Sequence, residues 1–160
     1  MSFVCTAARQ TYHFDVFRKG ESYAITFPIG YDSEEDLNYF AMIGLESMPP
    51  GDLEYYFCLL EVDGANKTER QIWSGRGLSA DASENDRRDI LSVILYATAN
   101  LLDTVKPERV FRCTHDADMP DKALEKHYEI SQIFTRCGYD VRAADVYHGK
   151  RTWCMERRGT

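Results

Sequence analysis

The stretch Leu53 to Val62, LEYYFCLLEV, constrains this chain more than any other. In an extended backbone, alternate side chains point to opposite faces, so Tyr55, Phe57 and Leu59 oppose Tyr56, Cys58 and Leu60. A strand that is apolar on both faces near its middle belongs in the interior of a sheet, not at its edge. The rest of the chain has to supply strands beside it and a layer over it. Asp63-Gly64-Ala65-Asn66 reads as a turn out of this strand, and Glu69 to Leu78 as the strand that returns.

The covering layer comes next. Ser83 to Val105 carries a helical stripe of Ile90, Ile94, Ala97, Leu101 and Val105, broadened by Val93 and Leu102. Ser83 followed three residues later by Asp86 is an N-terminal capping pattern, and Pro107 ends the helix. Arg109 to Thr114 reads as a short strand. A second helix opens at Asp118 or Pro120 and runs to Cys137, with Gly138 as its stop. Asp140 to Tyr147 and Arg151 to Glu156 form a hairpin around His148-Gly149. Upstream, Tyr12, Phe14 and Val16 share one face of an alternating Thr11–Arg18 segment. The turn Lys19-Gly20-Glu21 leads from it into a strand with Tyr23, Ile25 and Phe27 aligned. Asp32 to Asp36 supplies N-cap residue types ahead of Leu37, Phe40, Ala41 and Leu45, whose spacing predicts a helix over residues 33–46. A strand is the competing reading there, because Tyr39, Phe40 and Ile43 also suit a sheet. The alternation of strands and helices predicts an α/β, or mixed α+β, fold.

Length and charge narrow the function classes. A chain of 160 residues fits one domain spanning residues 1–160. The net charge of −7 argues against binding nucleic acid, which needs basic patches; Lys150, Arg151, Arg157 and Arg158 read as a solvated edge. No apolar run reaches the ~20 residues of a membrane span, and no signal peptide is visible. Five cysteines without a Cys-x-x-Cys pair read as free thiols in a reducing, cytoplasmic compartment.

The order of elements from residue 53 to residue 157 resembles the GNAT (Gcn5-related N-acetyltransferase) fold. In that family a strand meander leads to a pyrophosphate-binding turn and helix, then a strand, a helix and a closing hairpin. Phe134-Thr135-Arg136-Cys137-Gly138-Tyr139 echoes the Tyr-x-x-x-Gly-Phe with which GNAT sequences often end the later helix. The resemblance implies a central, mixed, mostly antiparallel sheet flanked by helices. It also implies an acetyl-CoA site at Ile72-Trp73-Ser74-Gly75-Arg76-Gly77, where backbone N–H groups at a helix N-terminus would grip phosphate. Gly75, Arg76 and Gly77 are therefore the cofactor-binding candidates. Two departures count against a working enzyme. Ile72 stands where the family has Gln or Arg, and the helical pattern begins several residues late. Phe134 stands where the family often places a Tyr as general acid, leaving Tyr128 and His127 as substitutes only for a rotated helix. Lys106-Pro107-Glu108-Arg109-Val110 fits a Lys-Pro-x-x-(Ile/Val) step into a strand, and in this layout the chain also resembles uncharacterised bacterial and phage proteins with a GNAT-like core.

His115-Asp116-Ala117-Asp118 follows a strand end, where ligands gather in open α/β sheets. His115 would serve as a base oriented by Asp116 or Asp118; the plainer reading makes the Asp a helix cap and the His a loop residue. Cys113, His115, Cys137, His148 and Cys154 have no spacing typical of structural zinc, so no metal is expected. The catalytic candidates are His115, Asp116 and Tyr128. The expected function is non-catalytic: binding a protein partner or a second copy of the chain, with no cofactor. The alternatives are a divergent acetyl-CoA-dependent N-acetyltransferase, and an acidic inhibitor or immunity-type protein that caps a basic surface.

Overall fold

The computed structural model describes residues 3–9, 11–73 and 81–159. In chain order it contains β1 (Phe3–Cys5), a single helical turn (Ala7–Arg9), β2 (Phe17–Lys19), β3 (Ser22–Asp32), β4 (Leu37–Met48), β5 (Asp52–Asp63) and β6 (Thr68–Ile72). There follow α1 (Glu84–Val105), β7 (Arg109–Cys113), α2 (Asp121–Arg136), β8 (Tyr139–Tyr147) and β9 (Lys150–Arg157). The strands make one mixed sheet in the order β1-β3-β4-β5-β7-β9-β8, with β2 added on β3 and β6 on β5. Neighbours are antiparallel except β5 and β7, which run parallel. A parallel pair needs a crossover, and α1 lies within it.

β5 is interior, as its two apolar faces require. β4 pairs along its whole length on one edge. On the other edge β7 takes Leu53 and Glu54 while β6 takes Leu59 to Asp63. Both helices cover the same face of the sheet. Thr98 of α1 hydrogen-bonds the Tyr55 hydroxyl at 2.7 Å. Phe134 of α2 packs edge-on against Tyr55, and His127 of α2 lies against Phe57 and Trp153. The core sits between these layers, with Ile25, Ile43, Leu45, Leu101, Ile130 and Met155 fully buried.

The helix over residues 33–46 does not form; β4 takes its place. The acidic run behaves locally as an N-cap would, since Asp32 Oδ1 accepts from the backbone N–H of Glu34 at 2.8 Å and Glu35 at 3.2 Å. What decides is the partner strands. Leu37 to Met48 finds β3 on one side and β5 on the other, and Tyr39, Ala41, Ile43 and Leu45 all become fully buried at a two-residue period. Tertiary pairing overrides a helical spacing that the same residues also satisfy. Upstream, only Phe17–Lys19 of the alternating segment is strand. Tyr12 and Phe14 still stack on each other and pack edge-on or tilted against Phe27 without regular structure.

α1 begins as read, with a complete capping box. The Ser83 hydroxyl accepts from the Asp86 N–H, and the Asp86 carboxylate accepts from the Ser83 N–H, both at 3.0 Å. Ser83→Ala is expected to lower stability by about 1 kcal/mol in urea unfolding, with an unchanged denaturant slope. The last hairpin turns on His148 and Gly149, at φ of 50° and 76°. Two adjacent positive φ values twist the turn in the sense that flanking strands need. No described helix is long and apolar enough to cross a membrane.

Candidate binding cleft

Parallel strands β5 and β7 pair only at Leu53–Val110 and Glu54–Phe111, then diverge. From Tyr55 to Cys58 no described strand pairs with that edge of β5, and β6 joins only at Leu59. The divergence opens a cavity of about 1350 Å³. Its walls include Tyr56, Phe57 and Trp73 on one side, Arg112 and His115 on the other, and the first turns of α1 at Arg87 and Ile90.

Alternation on β7 puts Val110 and Arg112 on the helix-covered face. Arg112 is thereby buried under α2. Its Nη2 donates to the His127 carbonyl at 2.6 Å and to the Ser131 hydroxyl at 2.8 Å. Its Nη1 lies 3.0 Å from His127 Nδ1. Arginine has no acceptor, so Nδ1 must accept and the neutral ring carries its proton on Nε2. Burial, then the neighbouring Arg112 and Lys126 charges, hold the His127 pKa far below its ordinary value, at about 3. Burial also lowers Arg112 to about 10. The Trp153 indole lies 4.1 Å below the guanidinium carbon and stacks nearly parallel to His127.

The opposite sheet face carries Glu54, whose carboxylate accepts from the Cys113 thiol at 3.6 Å. Burial and then the Glu54 charge push that thiol's pKa up. Cys113 therefore stays protonated and is a poor nucleophile at neutral pH.

The sequence candidates fall in three places. His115 and Asp116 line the cavity, His115 stacking on Trp73 with ring centres 5.2 Å apart. Asp118 reaches the rim too, but no side chain caps α2, whose N-cap is Pro120. Tyr128 is 55% exposed on α2 and does not line the cavity. Gly75, Arg76 and Gly77 lie outside the described residues. Phe134, in the position of the family's acid, is fully buried in the core. All five cysteines are free, and no group of three or more described His, Cys, Asp or Glu residues is placed to hold a metal ion.

Sequence reasoning missed Arg112, Lys126 and Lys150 as cleft residues. Arg112 left no signal in the sequence alone, because its inward position follows from the pairing of β7 with β5 and β9. The chain matches no known protein family, no curated protein and no solved structure.

Proposed function

We propose that this chain is a GNAT-like protein, of the bacterial or phage kind, that acts by binding a protein partner in the cleft between β5 and β7. The observation that carries this reading is the free edge of β5. From Tyr55 to Cys58 its outward N–H and C=O groups face a cavity rather than a described strand. An extended partner segment adds to such an edge as a strand, gaining main-chain hydrogen bonds while neighbouring pockets select its side chains. The run of strand, helix, strand, helix and closing hairpin supports the likeness to the GNAT fold.

Three groups in or beside the cleft are held in unreactive forms, which supports binding over catalysis. His127 has one nitrogen committed to Arg112 and a proton on the other. The Cys113 thiol is pushed up, and burial raises the Tyr55 phenol to about 12 while its oxygen is engaged by Thr98. The second reading, a divergent acetyl-CoA-dependent N-acetyltransferase, draws on the N-terminal turns of α1 and on His115 and Asp116 at the same cavity.

Acetyl-CoA separates the two. A ligand at about 100 times its dissociation constant adds roughly 2.7 kcal/mol of stability. We expect no thermal shift at millimolar acetyl-CoA. Peptides selected for affinity to the whole chain are expected to slow amide exchange between Tyr55 and Cys58. A clear shift, with acetyl transfer lost in His115→Ala, would establish the enzyme reading instead. Selected peptides that leave this edge unprotected would retire the docking site.

A further inference from the structure

Arg112 is a buried cation that meets only neutral groups. It is 3% exposed, and its partners are the His127 ring nitrogen and carbonyl, the Ser131 hydroxyl and the Trp153 indole. Its Nε is shut off from solvent and finds no partner at all. The arginines of this chain that do structural pairing bring a carboxylate, as Arg109 does with Asp52 and Arg70 with Glu61. A buried guanidinium without a counter-charge is costly; its hydrogen bonds and the Trp153 face offset part of that cost, and an anion held close would offset the rest.

The surroundings say where that anion would come from. Trp153 is the cross-strand neighbour of Arg112 on β9 and covers the guanidinium from that side. On the other side β7 parts from β5, and both Arg112 and His127 line the resulting cavity. Of the carboxylates that line it, Glu46 and Glu54 project from the opposite sheet face, while Asp116 and Asp118 belong to the loop after β7, where Asp116 acts on Lys126. None of the four is among the groups that act on Arg112. Lys126 lines the same cavity, with its ammonium over the Phe57 ring.

The geometry points to Arg112 and His127 as the anchor for a carboxylate carried by the occupant of the cleft. This rests on the cleft being a binding site, and it names what the site recognises. One buried positive charge calls for one negative charge. Both Nη2 hydrogens and one Nη1 hydrogen are engaged, and the second Nη1 hydrogen diverges from the Nε–H. The pair therefore offers the two oxygens of a monoanion the unpartnered Nε–H, which the occupant would uncover by a small shift of the Arg112 side chain, and the His127 Nε2–H. A phosphate dianion would ask for more donors and more charge than the pair supplies. Phe57, on the same sheet face as Arg112, offers an aromatic wall to an apolar or aromatic stem behind the carboxylate.

The probe is phenylacetate against its neutral isostere phenylacetamide, titrated calorimetrically into the whole chain. A short peptide ending in phenylalanine, with a free or an amidated C-terminus, makes the same comparison for a chain end. We expect at least one acid to bind about tenfold more tightly than its amide, and Arg112→Met to erase the difference. Arg112→Lys should retain only part of it, having charge without the planar fork. If Arg112→Met does not fold, the wild-type protein still decides. Its Arg112 Nε–H resonance should move with the acid and stay with the amide. Equal binding of acid and amide in both pairs, no binding of either at millimolar concentration, or an unmoved Nε–H would overturn the anchor. Those results leave the β5 edge untouched as a docking site, whereas acetyl-CoA turnover would displace the docking reading without removing an acid preference at Arg112.

Discussion

Phe134→Ala is expected to destabilise the protein by about 3–5 kcal/mol, the largest effect of any single truncation proposed for this chain. Phe134 is fully buried. Its ring stands edge-on to Tyr55, 5.4 Å between centres, and edge-on to Tyr139 at 5.7 Å. Each tyrosine is tied elsewhere by its hydroxyl. Tyr55 hydrogen-bonds Thr98 on α1, and Tyr139 donates to the Pro107 carbonyl at 2.6 Å, just before β7. Neither ring is free to collapse into the space that Phe134 leaves, so most of the cavity persists. That places the cost toward the upper part of the range. For a domain of this size the loss corresponds to a melting temperature lowered by roughly 6–20 °C. Phe134→Tyr gives the companion result. The added hydroxyl enters a packed site and is expected to cost about 1–3 kcal/mol. It should not create acetyl transfer, because position 134 lies in the core and not on the cleft wall. A Phe134→Tyr protein that gained stability, or gained turnover with acetyl-CoA, would show this packing account to be wrong.

The parts of the fold legible in the sequence are those whose pattern admits one period. Ser83 to Val105 satisfies only a helical spacing and opens on a capping box, and α1 starts where those residues place it. LEYYFCLLEV admits only a buried strand, and β5 is interior. Residues 37–48 admit two periods, since Leu37, Ala41 and Leu45 repeat at four residues while Tyr39, Ala41, Ile43 and Leu45 alternate. The choice between them is made by β3 and β5, which no local rule contains. The cleft was half legible for a related reason. His115 and Asp116 announce themselves by following a strand end. The free edge of β5 exists only because β7 and β6 pair with different parts of it, a fact of register. Arg112 was hidden by its neighbours in sequence. RVFRCT reads as a short strand, and only the pleat shows that its second arginine points inward with Val110. His127 entered the sequence reading only as a substitute acid for a rotated helix, and its role depends on meeting Arg112 across from another element.

That meeting predicts how stability responds to acid. The groups facing the His127 ring are Arg112 from β7 and Lys126 from its own helix, with Phe57 and Trp153 as apolar walls. Nothing among them favours the imidazolium. The folded-state pKa of His127 lies at about 3, below the ordinary histidine value of 6.5. The unfolded chain therefore takes up this proton first as pH falls. The contribution is fully present above the unfolded pKa and is lost progressively as pH drops from about 6.5 toward the folded value. Between pH 7 and pH 4 the loss from this group is about 3 kcal/mol. Other carboxylates titrate near the lower end of that window, so the isolating measurement is a difference. His127→Asn keeps an acceptor for Arg112 near the position of Nδ1 but cannot be protonated there. Chemical unfolding of both proteins at a series of pH values should give the variant a lower stability at pH 7, from lost packing against Phe57 and Trp153. The two curves should then converge as pH falls, because only the wild type loses the His127 contribution. Parallel curves would mean that the histidine is protonated as readily in the folded protein as in the unfolded chain, so that the Arg112 contact does not hold the ring neutral.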